Sequence, residues 1–390
     1  MDQQEVNIWE LGTKINVKLR IEFIDRINAA IKAQFGTKRE AHAALSPYYE
    51  VPWASFKLRM KRGYPYFINL EIIYRLCKLL GISLEQFQAN ITAYKTRKGW
   101  NYVEQPKLPI RITPLFDMLV AHNIGDGTVV NCGGNRKPYF GYRQFDHRYR
   151  NLYLRKIEAI FGRIQYRSVY VHDEHTTRIY SPIVCSEIMF NLYGLTETSF
   201  KSEVARIPKE IFAKDWKHKL AFLIGIIIDE GNVDSCLISI SMKNELIIHD
   251  LQRICTDLGY LTTMRKKGSL GMFCLYLLSK SLPKFYSDYE TLILEYPEVD
   301  LGKKGVKILE FINRMSKPKL YIEGNKPKLL AELISGALTV NELAQRLNMT
   351  RQGARYLVKQ LIRENKIELT PIVKFGKLKL GTHKYGLKVI

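Results

Sequence analysis

The chain has 390 residues, 46% of them apolar, with 60 Lys and Arg against 38 Asp and Glu and a formal net charge of +22. This apolar share fills ordinary buried cores, the length suits about two to four domains, and the basic excess points to a polyanion, nucleic acid before an acidic membrane surface. The longest apolar run, Leu220 to Ile228, is nine residues, which excludes a membrane-spanning helix, since such a helix needs roughly 20.

The polar, acidic start Met1-Asp-Gln-Gln-Glu has no apolar region behind it, so no signal peptide is expected and an intracellular place, cytoplasm or nucleoid, follows. Cys77, Cys132, Cys185, Cys236, Cys255 and Cys274 form no C-x-x-C pair; reduced, mostly buried thiols and no zinc site are expected. No Gly-rich dinucleotide loop, Walker A motif or nucleophile elbow is present, so nothing suggests small-molecule metabolism.

In chain order, residues 1–100 read as short helices: "EFIDRINAAIKAQFG", "TKREAHAAL", "PWASFKLRMKRG", "NLEIIYRLCKLLG" and "SLEQFQANI". Gly36-Thr37 and Gly81-Ile82-Ser83 each read as a helix stop followed by an N-cap. A second helix, a turn, a third helix ending in Arg-Gly and a Leu-Gly-Ile-Ser close resemble the lambda-repressor-like helix-turn-helix family. The resemblance implies DNA binding, with Trp53, Ser55, Lys57, Arg59, Lys61 and Arg62 on or beside the recognition helix; a small helical protein-interaction domain is the alternative. The stretch "YKTRKGWNYVEQPKLP" carries charge, Gly and two prolines and reads as a linker.

The middle of the chain, about 106 to 317, mixes helices and strands. Residues 101–213 hold the linker and a first unit, and residues 214–317 a second. Each reads as α-β-β-α-β-β-α, although the first hairpin of the second unit is hard to see. Aligned on their opening helices, the units present "LVAHNIGDG" from Leu119 and "LIGIIIDEG" from Leu223, and Asp126 and Glu230 lie 104 residues apart. A repeat this long implies two similar units in one chain.

These nine-residue segments resemble the signature of the LAGLIDADG homing endonuclease family. The resemblance implies an α+β fold: a pseudo-twofold saddle of two αββαββα repeats, monomeric, with the two signature helices packed side by side at its centre. It implies that Asp126 and Glu230 are catalytic and bind Mg²⁺ (or Mn²⁺), with Gly125 and Asp229 beside them in the metal site. Hard cations of this kind neutralise a phosphate and activate water, and they prefer carboxylate oxygens. The family also carries a basic residue late in each repeat. Lys201 fits in the first, 75 residues after Asp126, and Lys303 or Lys304 in the second, 74 after Glu230 for Lys304; such a lysine would polarise the water network or stabilise charge developing on phosphate. His122 and Asn123 stand where the family has apolar residues, either bonding across the helix pair or marking drift, and Glu230 stands where Asp is commoner.

The strands of the saddle would read DNA, since two-stranded ribbons fit the major groove and alternate residues face the bases. The expected readers are Asn135, Arg136, Tyr142, Gln144, Gln165 and Arg167 in the first repeat. In the second they are Ser239, Ser241, Lys243, Arg265, Lys266 and Lys267. Which parity faces DNA stays open, because a one-residue slip inverts every assignment.

The last block, 318–390, reads as three helical segments and a basic hairpin around Gly376, with Thr339 and Thr350 at cap positions. It resembles a winged helix, which implies groove or phosphate contacts from Arg351, Gln352, Arg355, Tyr356 and Lys359, and a wing bearing Lys374, Lys377 and Lys379; a dimerisation winged helix is the alternative. The sequence therefore leads to a site-specific, metal-dependent double-strand DNA endonuclease with one acid from each repeat and two accessory DNA-binding domains. A non-catalytic DNA-binding regulator on the same fold and an RNA maturase relative are the other readings.

Overall fold

The computed structural model describes residues 4–388 apart from 12–13, 62, 64–65, 98, 131–138, 201–202, 235–236, 268–270, 317–323 and 371–383. The chain divides into two compact units, Met1–Ile312 and Asn313–Ile390. The first of these contains three of the four segments expected from the sequence.

It opens with β1 (Glu5–Val6), β2 (Ile15–Leu19), α1 (Ile21–Phe35), α2 (Lys38–Leu45), α3 (Trp53–Arg59), β3 (Ile68–Asn69), α4 (Leu70–Leu79), α5 (Leu84–Ala89), β4 (Ile91–Thr96), β5 (Val103–Glu104) and β6 (Ile110–Arg111). Helix α1 buries Phe23, Ile24, Ile27 and Ile31 at helical spacing, as its apolar stripe requires. Gly36 ends it at φ 75°, a backbone shape that glycine adopts without strain. Thr37 then opens α2 in a reciprocal capping box with Glu40, and Ser83 caps α5 through Gln86 N, as the sequence indicated.

The first repeat follows as α6 (Pro114–Ile124), β7 (Gly127–Val130), β8 (Tyr139–Gln144), α7 (His147–Phe161), β9 (Arg163–Ile164), β10 (Arg167–Val171), β11 (Thr176–Tyr180) and α8 (Ile183–Leu192). After α9 (Lys209–Ala213), the second is α10 (Trp216–Glu230), β12 (Gly231–Asp234), β13 (Leu237–Met242), α11 (Glu245–Asp257), β14 (Thr262–Lys267), β15 (Met272–Leu277), α12 (Leu282–Glu295) and α13 (Lys303–Ser316). Their antiparallel sheets, β10-β11-β8-β7 and β12-β13-β15-β14, share one strand order. The hairpin that the sequence hid is β12–β13, with Asn232 opposite Ser239 and Val233 opposite Ile238. Its outward residues Asn232 and Asp234 are of turn-forming type, which masked the strand.

The stretch expected to be a linker is instead built into a sheet. Strands β4 and β5 lie inside a five-stranded sheet of order β3-β2-β4-β5-β9, so its last strand comes from the first repeat. The N-terminal helices, both repeats and this sheet share a continuous apolar core. The boundary expected at residue 100 therefore does not separate an independent domain.

At the centre of the unit α6 packs along α10. Every residue from Pro114 to Ile124 is buried, as is every residue from Leu220 to Ile228. The contact is close because Gly225 has no side chain: a Cβ there would lie 2.8 Å from Ala121 Cβ and 3.0 Å from Met118 O. At the start of α6 the wholly buried Asp117 holds the pair together. It accepts Lys214 Nζ at 2.8 and 2.9 Å and the Tyr193 hydroxyl, and His218 Nδ1 lies 2.6 Å away. A buried carboxylate is tolerated when its oxygens are satisfied in this way.

The second unit contains α14 (Asn325–Ile334), β16 (Leu338–Thr339), α15 (Val340–Arg346), α16 (Arg351–Arg363), β17 (Ile367–Thr370) and β18 (Lys384–Leu387). Its strands pair in the order β16-β18-β17 over a core including Leu329, Leu333, Leu343, Leu357 and Leu361. Thr339 and Thr350 cap α15 and α16. Cys77, Cys185, Cys255 and Cys274 are free and buried; Cys132 and Cys236 lie outside the described residues.

Gly225→Val would push two methyl groups into Ala121 and Met118. It is expected to cost about 1–3 kcal/mol by overpacking, read as a lower urea midpoint by circular dichroism. An unchanged midpoint would mean the helices do not touch there.

Candidate active site

Each signature helix leads into a strand, α10 directly and α6 after a two-residue turn, and that corner dictates the glycine. A Cβ on Gly127 would lie 2.3 Å from Asn123 O, and one on Gly231 2.5 Å from Ile227 O. Glycine is therefore required where the chain folds back over the carbonyl four residues earlier. The preceding residues, Asp126 and Glu230, are carried at corresponding ends of the packed helices α6 and α10.

Both acids are half-buried. Asp126 Oδ2 accepts a hydrogen bond from Gln144 Nε2. Burial and the negative charges of Asp229 and Glu230 push the Asp126 carboxyl up to about 8, against the opposing pull of Arg143 and Lys304. Burial and Asp229 likewise raise Glu230, and Lys304 and Arg143 again oppose. Asp126 thus feels the Glu230 charge, both feel Asp229, Lys304 and Arg143, and a bound cation would relieve the excess of negative charge. Among the described residues no three His, Cys, Asp or Glu side chains form a preformed metal cage. Two carboxylates suit a hard divalent ion such as Mg²⁺, which keeps waters and takes phosphate oxygens.

Asp229 turns away from this pair, which corrects its expected role as a metal ligand. Its side chain is wholly buried; Tyr142 OH donates to Oδ1 at 2.7 Å and His122 Nδ1 lies 2.9 Å from Oδ2. His122 thus bonds across the helix pair, while Asn123 accepts from Tyr153 OH at 2.9 Å within its own repeat. Gly125 sits against Asp229, where a Cβ would lie 2.8 Å from Asp229 Cβ.

Of the candidate lysines, Lys304 reaches the site and exposed Lys303 does not, its charge acting on Asp146 instead. Lys304 Nζ donates to Ile227 O at 2.7 Å, Ile228 O at 2.7 Å and Gly231 O at 2.6 Å. An ammonium has three N–H donors, so all three are spent on carbonyls at the end of α10. In this position it is a cation capping the helix C-terminus. Burial lowers its pKa, and the three nearby acids oppose that shift. Lys201 lies outside the described residues.

Strand registers show on which face each expected reader lies. In β8, Phe140 and Tyr142 are buried, so Tyr142 and Gln144 share the helix-side face. The opposite face carries Arg143, with Arg178 opposite it on β11, and Arg167 of β10 opposite Tyr180. Gln165 belongs to a different place, bonding Tyr102 OH at 2.7 Å beside the five-stranded sheet. In the second sheet Ile238 and Ile240 point to the core, leaving Ser239 and Ser241 on the outward face, with Arg265 opposite Cys274. Lys266 has the inward parity and lies over the Phe273 ring, a correction forced by alternation. Lys243 is exposed just beyond β13. Asn135, Arg136 and the Lys267 side chain lie outside the described part.

On α3, Trp53 stacks on Phe56 and edges onto His42 of α2, so it is a packing residue rather than a free contact. Lys57 and Lys61 are exposed, and Ser55 and Arg59 half-buried; Arg62 is not described. On α16, Arg351, Gln352, Arg355, Tyr356 and Lys359 are exposed opposite the buried Ala354, Leu357, Val358 and Leu361. Lys374, Lys377 and Lys379 lie outside the described residues. The sequence reading missed Arg143 and Arg178. For Arg143 the signal was present in "YFGYRQ", where Phe140 and Tyr142 mark the buried parity and leave Arg143 on the other.

The folded chain holds the Asp126 proton to about pH 8, against an ordinary value of 3.8. Rising pH between those values therefore ionises the unfolded chain first and lowers stability. Asp126→Asn should exceed wild type in urea midpoint at pH 8, with the gap closing towards pH 4, and Mg²⁺ at pH 8 should raise the wild-type midpoint more than the variant's. Parallel pH profiles for the two proteins would contradict this.

No protein-family model and no curated protein matches the chain. Among solved structures, the homing endonuclease I-DmoI in complex with DNA and Mn aligns at 15% identity with a TM-score of 0.34, over 45% of this chain and 95% of that one. The homing endonuclease I-WcaI bound to its DNA recognition sequence aligns at 9% identity and 0.34, over 46% and 83%. The N-terminal LAGLIDADG domain of DUF199/WhiA aligns at 12% and 0.31, over 45% and 81%. At such identities and scores, function has to rest on the residues of the site themselves.

Proposed function

We propose that the chain is a LAGLIDADG-type, metal-dependent endonuclease that cuts double-stranded DNA at a specific site. The observation that carries this reading is the matched pair of helix ends, each delivering one half-buried carboxylate, Asp126 or Glu230, into a shared field beside two sheets of one strand order. Asp126 and Glu230 would hold Mg²⁺ or Mn²⁺. When bound, such a cation neutralises charge on the scissile phosphate and acidifies a water.

The protein's own residues complete the site. Lys304 fixes the carbonyls beneath Glu230, and Gln144 orients Asp126. Arg143, Arg167, Arg178, Ser239, Ser241 and Arg265 face outward from the sheets and supply charge and hydrogen bonds to a duplex. Helices α2 and α3 serve as a helix-turn-helix, and the second unit as a winged helix that uses the exposed row of α16. Both lengthen the recognised site.

The test is to incubate purified protein and Mg²⁺ with a randomised duplex library and sequence the cut ends. Asp126→Asn and Glu230→Gln should each lower cleavage of the selected site by about a thousandfold or more, while duplex affinity changes less than about threefold. Tight, salt-sensitive binding without cutting would replace this reading with a non-catalytic regulator, and preference for structured RNA over duplex DNA would replace it with an RNA-directed one.

A further inference from the structure

When the two nine-residue segments are laid in register, they differ at six of the nine positions, two of which meet across the helix pair. Asp229 stands where the first repeat has Gly125, and His122 stands where the second has Ile226. The structure brings these departures together. His122 and Asp229 are both buried, with side chains 1% and 0% exposed and His122 Nδ1 2.9 Å from Asp229 Oδ2. A carboxylate only accepts, so His122 Nδ1 carries the proton between them. Tyr142 OH donates to the other oxygen at 2.7 Å. The Tyr142 ring stacks on Tyr153 at 4.1 Å, and the His122 ring lies edge-on to both tyrosines.

Every group that holds Asp229 in this way belongs to the first repeat, while Asp229 belongs to the second. Room for it exists only because Gly125 has no Cβ; one would lie 2.9 Å from Asp229 Oδ2. A strictly twofold arrangement would set Asp against Asp or Gly against Gly, so the contact depends on the repeats having diverged. The next residue is Glu230, the last of α10. Lys304 holds the carbonyls of that turn from α13, within the same repeat. The His122 and Tyr142 contacts tie the turn to the other repeat.

We propose that Asp229 is a positioning residue: the His122–Asp229–Tyr142 clamp locks the last turn of α10 to the first repeat and so sets where the Glu230 carboxylate stands relative to Asp126. Its effect on cleavage rests on the nuclease reading; its effect on the position of Glu230 does not. The Asp117 cluster and the Gly225 contact remain when the clamp is cut, so the helix pair stays assembled.

The experiment compares wild type, His122→Leu, Asp229→Ala, their double variant and the triple variant H122L/Y142F/D229A. Asp229→Ala leaves the buried His122 and Tyr142 donors unpaired and should lower the urea midpoint. The triple variant removes all three polar partners and should recover most of that loss. The His122 and Asp229 effects on the midpoint should be non-additive; additive effects would remove the clamp. In single-turnover assays at saturating Mg²⁺ the triple variant should stay at least about tenfold slow, with duplex Kd within about threefold of wild type. Recovery of rate together with stability would reduce Asp229 to a packing residue. Crystal structures should show the Glu230 carboxylate displaced in the triple variant, and superposable carboxylates would overturn the proposal. If wild type cuts nothing, the nuclease reading fails, and the crystal structures alone decide the positioning role.

Discussion

The close contact of α6 with α10 is the constraint on which the rest of the first unit depends. Helices approach this nearly only where side chains are absent, and Gly225 against Ala121 and Met118 provides that gap. The apolar stretch from Leu220 to Ile228 is oily throughout because it has no solvent face: it meets its partner helix on one side and the core on the others. The same closeness brings two backbone corners, each with its acid, to corresponding ends of the pair. The Glu230 charge then adds to the field that raises the Asp126 carboxyl.

That electrostatic conflict is offset in an orderly way. The Lys304 charge sits on the carbonyl end of α10, the Arg143 charge on β8 opposes the rise at Asp126, and Asp229 is withdrawn into the interior with its own donors. Three acids near one another thus divide into two that are half-exposed and one whose side chain is held inside by its own donors. The division follows helix geometry, since adjacent residues point about 100° apart around a helix.

Much of this architecture could be read directly from the sequence. Thr37, Ser83, Thr339 and Thr350 cap helices because their hydroxyls satisfy free backbone N–H groups, a local effect that needs no tertiary context. The repeat is visible because two nine-residue segments recur at fixed spacing. What stayed hidden depends on partners distant in sequence. The outward Asn232 and Asp234 look like turn residues until β13 pairs with them. The Gly, Pro and charges of 94–109 look like a linker until β2 and β9 flank the two strands. Nothing local tells which of Asp229 and Glu230 faces inward, or that Lys304 serves backbone carbonyls. The parity of β8 was readable from its aromatic residues, and choosing Tyr142 over Arg143 overlooked it.

The five-stranded sheet has a consequence for the N-terminal block. Strands β2, β3 and β4 come from one side of the expected boundary and β5 and β9 from the other, with Ala93 opposite Glu104 and Val103 opposite Ile164. The N-terminal block and the first repeat are therefore joined through one sheet, and removing the block would strip the first repeat of a flank of its own fold.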